Sequence, residues 1–286
     1  MSQHFFDLHL HPAMKTLFKS PAKQRSAWYT IKVADGAFGH ALGSQASLGQ
    51  IAQISGMNLI CVPIYAPESA MMQQSILLLG ALLYGKEIDL ARVKSLGNNS
   101  IDYQEIHKEE RTQLFRKPDP GDGNFSKNKV KLLRTWSDYN PADLDTIHVL
   151  LSVEGGHNFY GLGNDEVDTA AMLQRFQILI DEGFLVLYIT LAHLAPNVFL
   201  NHAYGMKIFP PDKFLPLDDG IALKPLPIAV ATSKKTNGYD FFNLAHKNGI
   251  ILDIKHMSLR SRRQFLEHFN NLLLLSTFQL LQGKLR

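Results

Sequence analysis

Four apolar runs in this chain end on side chains that can bind a metal. Residues 5–11 (FFDLHLH) carry His9 and His11, and residues 147–154 (IHVLLSVE) end on Glu154. Residues 185–193 (LVLYITLAH) end on His193, and residues 250–256 (IILDIKH) on His256. Side chains two apart on a strand point the same way, so His9 and His11 can hold one ion between them. Asp7 shares their parity and could orient a ring or sit below it. Glu154 closes an apolar stretch in which a carboxylate needs a partner or a metal. Gly155 and Gly156 beside it leave room for the backbone to bend and for a substrate to approach. Asp253 falls on the opposite side of its strand from His256 and is assigned to structure, and His157 reads as an inert loop histidine, with a substrate contact as the alternative. Each residue also has a bland reading: an imidazole in an amphipathic strand, a glutamate leaving for solvent, a packed strand-end histidine. Repetition at four strand ends is what favours chemistry.

The elements that must position these groups follow from periodicity. Short apolar runs at 5–11, 58–64, 147–154, 185–193 and 250–256 read as buried parallel strands. Apolar residues three and four apart over 71–83, 168–182 and 240–247 read as the helices between them. Strand alternating with helix means an α/β domain, and in a (β/α)8 barrel the carboxyl ends of the strands form one active face. One domain over residues 1–286 is expected, with a helical insertion at about 67–145. That insertion includes a turn-rich piece (KPDPGDG, 117–123), and residues 108–134 carry eight Lys or Arg against four acids, read as a solvated face. Residues 210–227, rich in proline and Asp-Gly, read as a long loop near the mouth of the site.

Composition narrows the function classes. The chain has 286 residues, 45% hydrophobic and 19% charged, enough to bury a core. Cys61 is the only cysteine, which excludes an internal disulfide framework and a cysteine zinc cluster. A formal charge of +3 is too slight to imply nucleic acid. The apolar run at 75–84 is about half the length that crosses a bilayer, and residues 1–6 show no secretory pattern. The reading is a cytoplasmic protein with no membrane and no nucleic-acid partner.

The stretches FFDLHLHP, LLSVEGGHNF, LYITLAHLAPN and NGYDFFNLAHKNGIILDIKHMS, in this order, resemble the membrane dipeptidase (renal dipeptidase) family of the amidohydrolase superfamily. The likeness runs from about residue 5 to 268 and is poor over 67–145. It implies a zinc-dependent amidohydrolase-type (β/α)8 barrel, with one or two divalent ions, hydrolysing dipeptides or related short amides through a metal-bound hydroxide. By motif, His9 and His11 would hold the first metal, Glu154 would bridge, and His256 would bind the second. His193 would contact the substrate and its tetrahedral intermediate, and Asn197 would also bind the substrate. The family has His-x-Asp where this chain has His-x-His, a neutral ligand in place of an anionic one.

The family also draws a metal histidine from a sixth strand and an acid aspartate from an eighth. After His256 this chain has one histidine, His268, and no aspartate. The barrel is therefore expected to be truncated after the fifth strand, with exposed edges and self-association into a homo-oligomer. Two other readings stay open: an inactive half-site metal or peptide binder, and a histidinol-phosphatase-type phosphoesterase.

Overall fold

The computed structural model describes residues 5–30, 47–54, 57–68, 88–98, 102–125, 127–160, 169–193 and 238–267, with isolated positions 72, 200 and 269. Its centre is a six-stranded, wholly parallel sheet: β1 (Phe5–Asp7), β2 (Met57–Ile64), β3 (Lys129–Leu132), β4 (Thr146–Glu154), β5 (Val186–Thr190) and β6 (Ile251–Asp253). The main path runs β1-β2-β4-β5-β6. On the far edge of β4, β3 pairs with Thr146–Val149 and β5 with Leu151–Glu154, so two short strands share one long one.

β4 (TIHVLLSVE) is buried along all nine residues. A strand covered on both faces is near-continuously apolar, and this is what places it at the middle of a parallel sheet. The edges contrast with it. Among the described residues β1 pairs only with β2 and β6 only with β5, and Phe6, Leu8 and Ile251 stay exposed there.

The sheet curls. In a flat sheet, three ladder steps would hold β1 about 14 Å from β5. Yet His9 Nδ1, just past β1, lies 2.7 Å from the Tyr188 hydroxyl on β5. The described part of the molecule is thus an α/β domain with a curled parallel sheet of barrel type.

Helices cover the outer face: α1 (Leu48–Gln53), α2 (Leu90–Gly97), α3 (Tyr103–Phe115), α4 (Thr169–Asp181), α5 (Gly238–Lys247) and α6 (259–267). Two of the caps show a local cause. Ser47 and Gln50 form a reciprocal capping box on α1, and the Asp102 carboxylate accepts the Gln104 N–H at 2.7 Å to start α3. On α4, Met172, Phe176 and Leu179 make a buried stripe at helical spacing. Phe176 stacks on Phe241 of α5 with ring centroids 5.2 Å apart, and Phe159 meets both at 5.1 and 5.4 Å. Phe159 belongs to the short turn that follows Glu154, so this cluster ties two helices to the end of β4.

Several expectations need correction. The insertion expected to be helical contains β3, whose residues Lys129–Leu132 alternate exposed and half-buried, a pattern without a continuous apolar run. β1 stops at Asp7, where the side chain turns back to accept the His9 N–H at 2.9 Å instead of orienting a ring. The basic stretch is a solvated face as expected, with Lys108, Lys117, Lys129, Lys131 and Arg134 exposed, and some of its side chains have local partners. Arg111 pairs with Glu182, Arg116 with Asp119, and Lys127 donates to the carbonyls of Ile54 and Met57. No helix among the described residues is long and apolar enough to cross a membrane. Apart from Met72, the helix expected at 71–83 lies outside the described residues, as do the loop at 210–227, Asn197 and the tail after residue 269.

Phe176→Ala should lower unfolding stability by about 3–5 kcal/mol, because a fully buried ring shared by two helices leaves a void. Urea denaturation followed by circular dichroism measures it.

Candidate metal centre

Glu154 sits at the carboxyl end of the longest strand, and its two oxygens face different histidines. Oε2 lies 3.0 Å from His11 Nε2. Oε1 lies 3.4 Å from His9 Nε2 and 3.2 Å from His193 Nε2. Two three-donor groups share this carboxylate: His9, His11 and Glu154, then Glu154, His193 and His256, with donor atoms in each within 4.8 Å of one another.

His9 and His11 come from the segment after β1, which stays against β2 through a Leu10 N–H to Cys61 carbonyl bond of 3.1 Å. Their Nε2 atoms are 3.1 Å apart. The Tyr188 hydroxyl donates to the Leu8 carbonyl at 3.2 Å and so accepts from His9 Nδ1. That leaves a lone pair on His9 Nε2 aimed at a carboxylate oxygen, a crowding of electron pairs that a cation relieves. Neutral imidazoles with one shared carboxylate suit a divalent transition ion. His256 reaches the group by an unusual backbone route: it is the one non-glycine residue with positive φ (63°) among the described residues. Its ring centroid lies 5.0 Å from that of His193. A residue held in the left-handed region within a group of candidate metal donors is backbone strain located beside that group.

The turn after Glu154 is built to hold it. Gly155 has φ of 99°, and a Cβ there would run into the His157 ring. Asn158 Nδ2 donates to the carbonyls of Glu154 (2.5 Å) and Gly155 (2.7 Å). Its Oδ1 accepts from the Ala66 N–H (2.8 Å) and from His107 Nε2 (2.7 Å). One amide therefore fastens the end of β4 to the segment after β2 and to α3.

Two residues at the site carried no signal in the sequence. Glu68, 3% exposed, places Oε1 2.5 Å from His193 Nδ1 and accepts the Tyr65 hydroxyl proton on Oε2. Tyr188 is the other. Neither ends an apolar run: Tyr188 meets His9 through the curl of the sheet, and Glu68 lies on the segment after β2. His157, expected to be an unassigned loop residue, is buried with Nε2 2.6 Å from the Ala66 carbonyl and Nδ1 3.9 Å from Glu68. Asp253 accepts the Thr190 hydroxyl at 2.7 Å and the Lys255 N–H at 2.9 Å, a structural role.

The electrostatics follow from this crowding. Burial raises the Glu154 carboxyl, but hydrogen bonds from His11 and His193 outweigh it and hold it far below the usual range. Burial also opposes ionisation of Glu68, yet the His157 and His193 rings bring it down to about 2. For His193 burial lowers the pKa, and Glu68 with Glu154 overrides that and pushes it up to about 10. Burial, then the His193 charge, takes His256 down to about 4. Burial likewise lowers His9, partly offset by Glu154.

Behind Tyr65 lies a second buried acid. Glu110 of α3 accepts the Tyr65 N–H on Oε2 at 3.1 Å, and its Oε1 has no hydrogen-bond partner among the described residues. Burial, eased by that N–H and reinforced by the Glu154 charge, pushes Glu110 up to about 8. The folded state keeps a proton that the unfolded chain releases near pH 4.5, so Glu110 costs stability increasingly as pH rises from 4.5 to about 8. Glu110→Gln should therefore gain stability relative to the parent between about pH 5 and about pH 8, read from paired urea midpoints. A difference independent of pH would contradict the protonated state.

Comparison with known proteins yields no match to this chain, whether among family models, curated proteins or solved structures.

Proposed function

We propose that the protein is a zinc-dependent hydrolase of the membrane dipeptidase type, built on an amidohydrolase-type barrel and acting on dipeptides or related short amides. The observation that carries this reading is the shared carboxylate. Glu154 is 5% exposed and presents one oxygen to His11 and the other to His9 and His193. A carboxylate buried this way needs a positive partner and hydrogen bonds to its remaining lone pairs. Two ligand groups meeting at Glu154, each with histidine nitrogen, supply places for two ions.

When bound, a divalent ion supplies Lewis acidity and lets water ionise near neutral pH. The chain's own residues do the rest. His9 and His11 offer Nε2 atoms beside Glu154, with Tyr188 fixing the His9 ring. His256 closes the opposite side. The low exposure of Glu154, His193 and Tyr65 keeps bulk water from the protein side of the cluster, which strengthens each charge interaction there. The His-x-His pair in place of His-x-Asp makes the first ligand group less anionic, so a softer preference among divalent ions is expected than for a site with an additional carboxylate.

The test is metal content of the purified chain, measured beside hydrolysis of unblocked dipeptides. Glu154→Gln should lose bound zinc and reduce turnover to background, with the far-ultraviolet circular dichroism spectrum unchanged. Undiminished zinc and undiminished turnover in that variant would refute the proposal. Zinc bound by the parent with no turnover of any dipeptide would support the half-site binder instead.

A further inference from the structure

We infer that Glu68 is a positioning residue that holds the Nδ1 proton of His193, so that His193 meets the metal centre and anything bound there through Nε2 alone. The geometry is specific. Glu68 Oε1 is 2.5 Å from Nδ1, while Nε2 of the same ring faces Glu154 Oε1 at 3.2 Å. A ring held at both nitrogens cannot flip without losing both contacts.

The support behind Glu68 is continuous. Its other oxygen accepts the Tyr65 hydroxyl proton. The Tyr65 ring packs edge-on against His193 at 5.1 Å and His157 at 6.0 Å. The Tyr65 backbone N–H is tied to Glu110 and the Ala66 N–H to Asn158, so the segment carrying Glu68 is bonded to α3 and to the turn after β4. A histidine at a metal centre works with one nitrogen, and the carboxylate on the other sets which one. Glu68 does for His193 what Tyr188 does for His9, from the opposite wall and with a charge. A buried carboxylate without a cationic partner would be costly, and His193 Nδ1 stands at hydrogen-bond distance from it.

The activity arm of the test rests on the proposed hydrolase; the spectroscopic arm does not. The full chain is labelled with 15N-histidine, and ring nitrogens are read by two-bond proton–nitrogen correlation near neutral pH, without metal and with added zinc. His193→Gln identifies the His193 signals. In the parent, Nδ1 of His193 should carry a proton in both conditions, with any zinc-induced change confined to Nε2. Glu68→Leu, close in volume, should lose that Nδ1 signature. Glu68→Gln should restore it, because an amide oxygen still accepts from Nδ1. If the hydrolase reading holds, Glu68→Leu should also lower kcat about 10–100-fold, largely recovered in Glu68→Gln. Unchanged His193 signals in Glu68→Leu, or a change that Glu68→Gln does not reverse, overturns the inference. Absence of hydrolysis and of zinc binding in the parent would remove the hydrolase reading and leave the nitrogen spectra to decide the role of Glu68.

Discussion

One carboxylate organises this molecule. Glu154 closes a nine-residue strand that is buried from end to end, and an ion taken that far from water costs several kcal/mol unless it is paired and hydrogen-bonded. The surrounding structure supplies the partners from separate places in the chain: His9 and His11 from the segment after β1, and His193 just past β5. Their convergence requires a curled sheet, since strands that are not neighbours in the ladder must bring their ends together. Curl and charge pairing therefore depend on each other. Without the curl the carboxylate loses His9 and His11, and without the histidines the end of β4 is a poor place for a glutamate.

The turn that follows shows how such a group is kept in place. Gly155 takes a backbone conformation that a side chain would block, and Asn158 folds back on the carbonyls of Glu154 and Gly155. The same amide oxygen fastens the segment after β2 and His107 of α3. Burial holds His107 down to about 3, so it remains a neutral donor at ordinary pH. The phenylalanine cluster anchors the far side of the turn, through Phe159 packed on α4 and α5. Apolar packing, backbone geometry and a polar network thus meet within five residues of Glu154, which is where preorganisation of a site is most effective.

Asymmetry between the two groups of candidate metal donors is the other physical feature. The group around His9 and His11 is more open, with the His9 side chain 36% exposed, whereas His193 and Glu68 are walled in at 9% and 3%. Charges on the closed side interact in a drier medium and hold one another strongly. Those on the open side remain accessible to an entering molecule. His256, half-buried and on a left-handed backbone, stands between the two conditions.

Much of this was legible from residue order. The apolar runs ending on His9, His11, Glu154, His193 and His256 marked out the side chains that the structure brings together, because a buried strand has few ways to accommodate repeated polar ends. Alternation of those runs with amphipathic helices marked an α/β domain with parallel strands. Other features were hidden in the sequence for physical reasons. β3 has too little apolar continuity to read as a strand and is defined by its pairing with β4. Asp7 looked like a ring-orienting group by parity, yet its side chain reaches the His9 backbone first. Glu68, Glu110 and Tyr188 carry no local pattern at all. Their roles come from distances between segments far apart in the chain. The sequence by itself determined which residues were capable of chemistry and which strands carried them. Only the tertiary structure decided which nitrogen each histidine presents, because that depends on the partner that curl and packing bring to its other side.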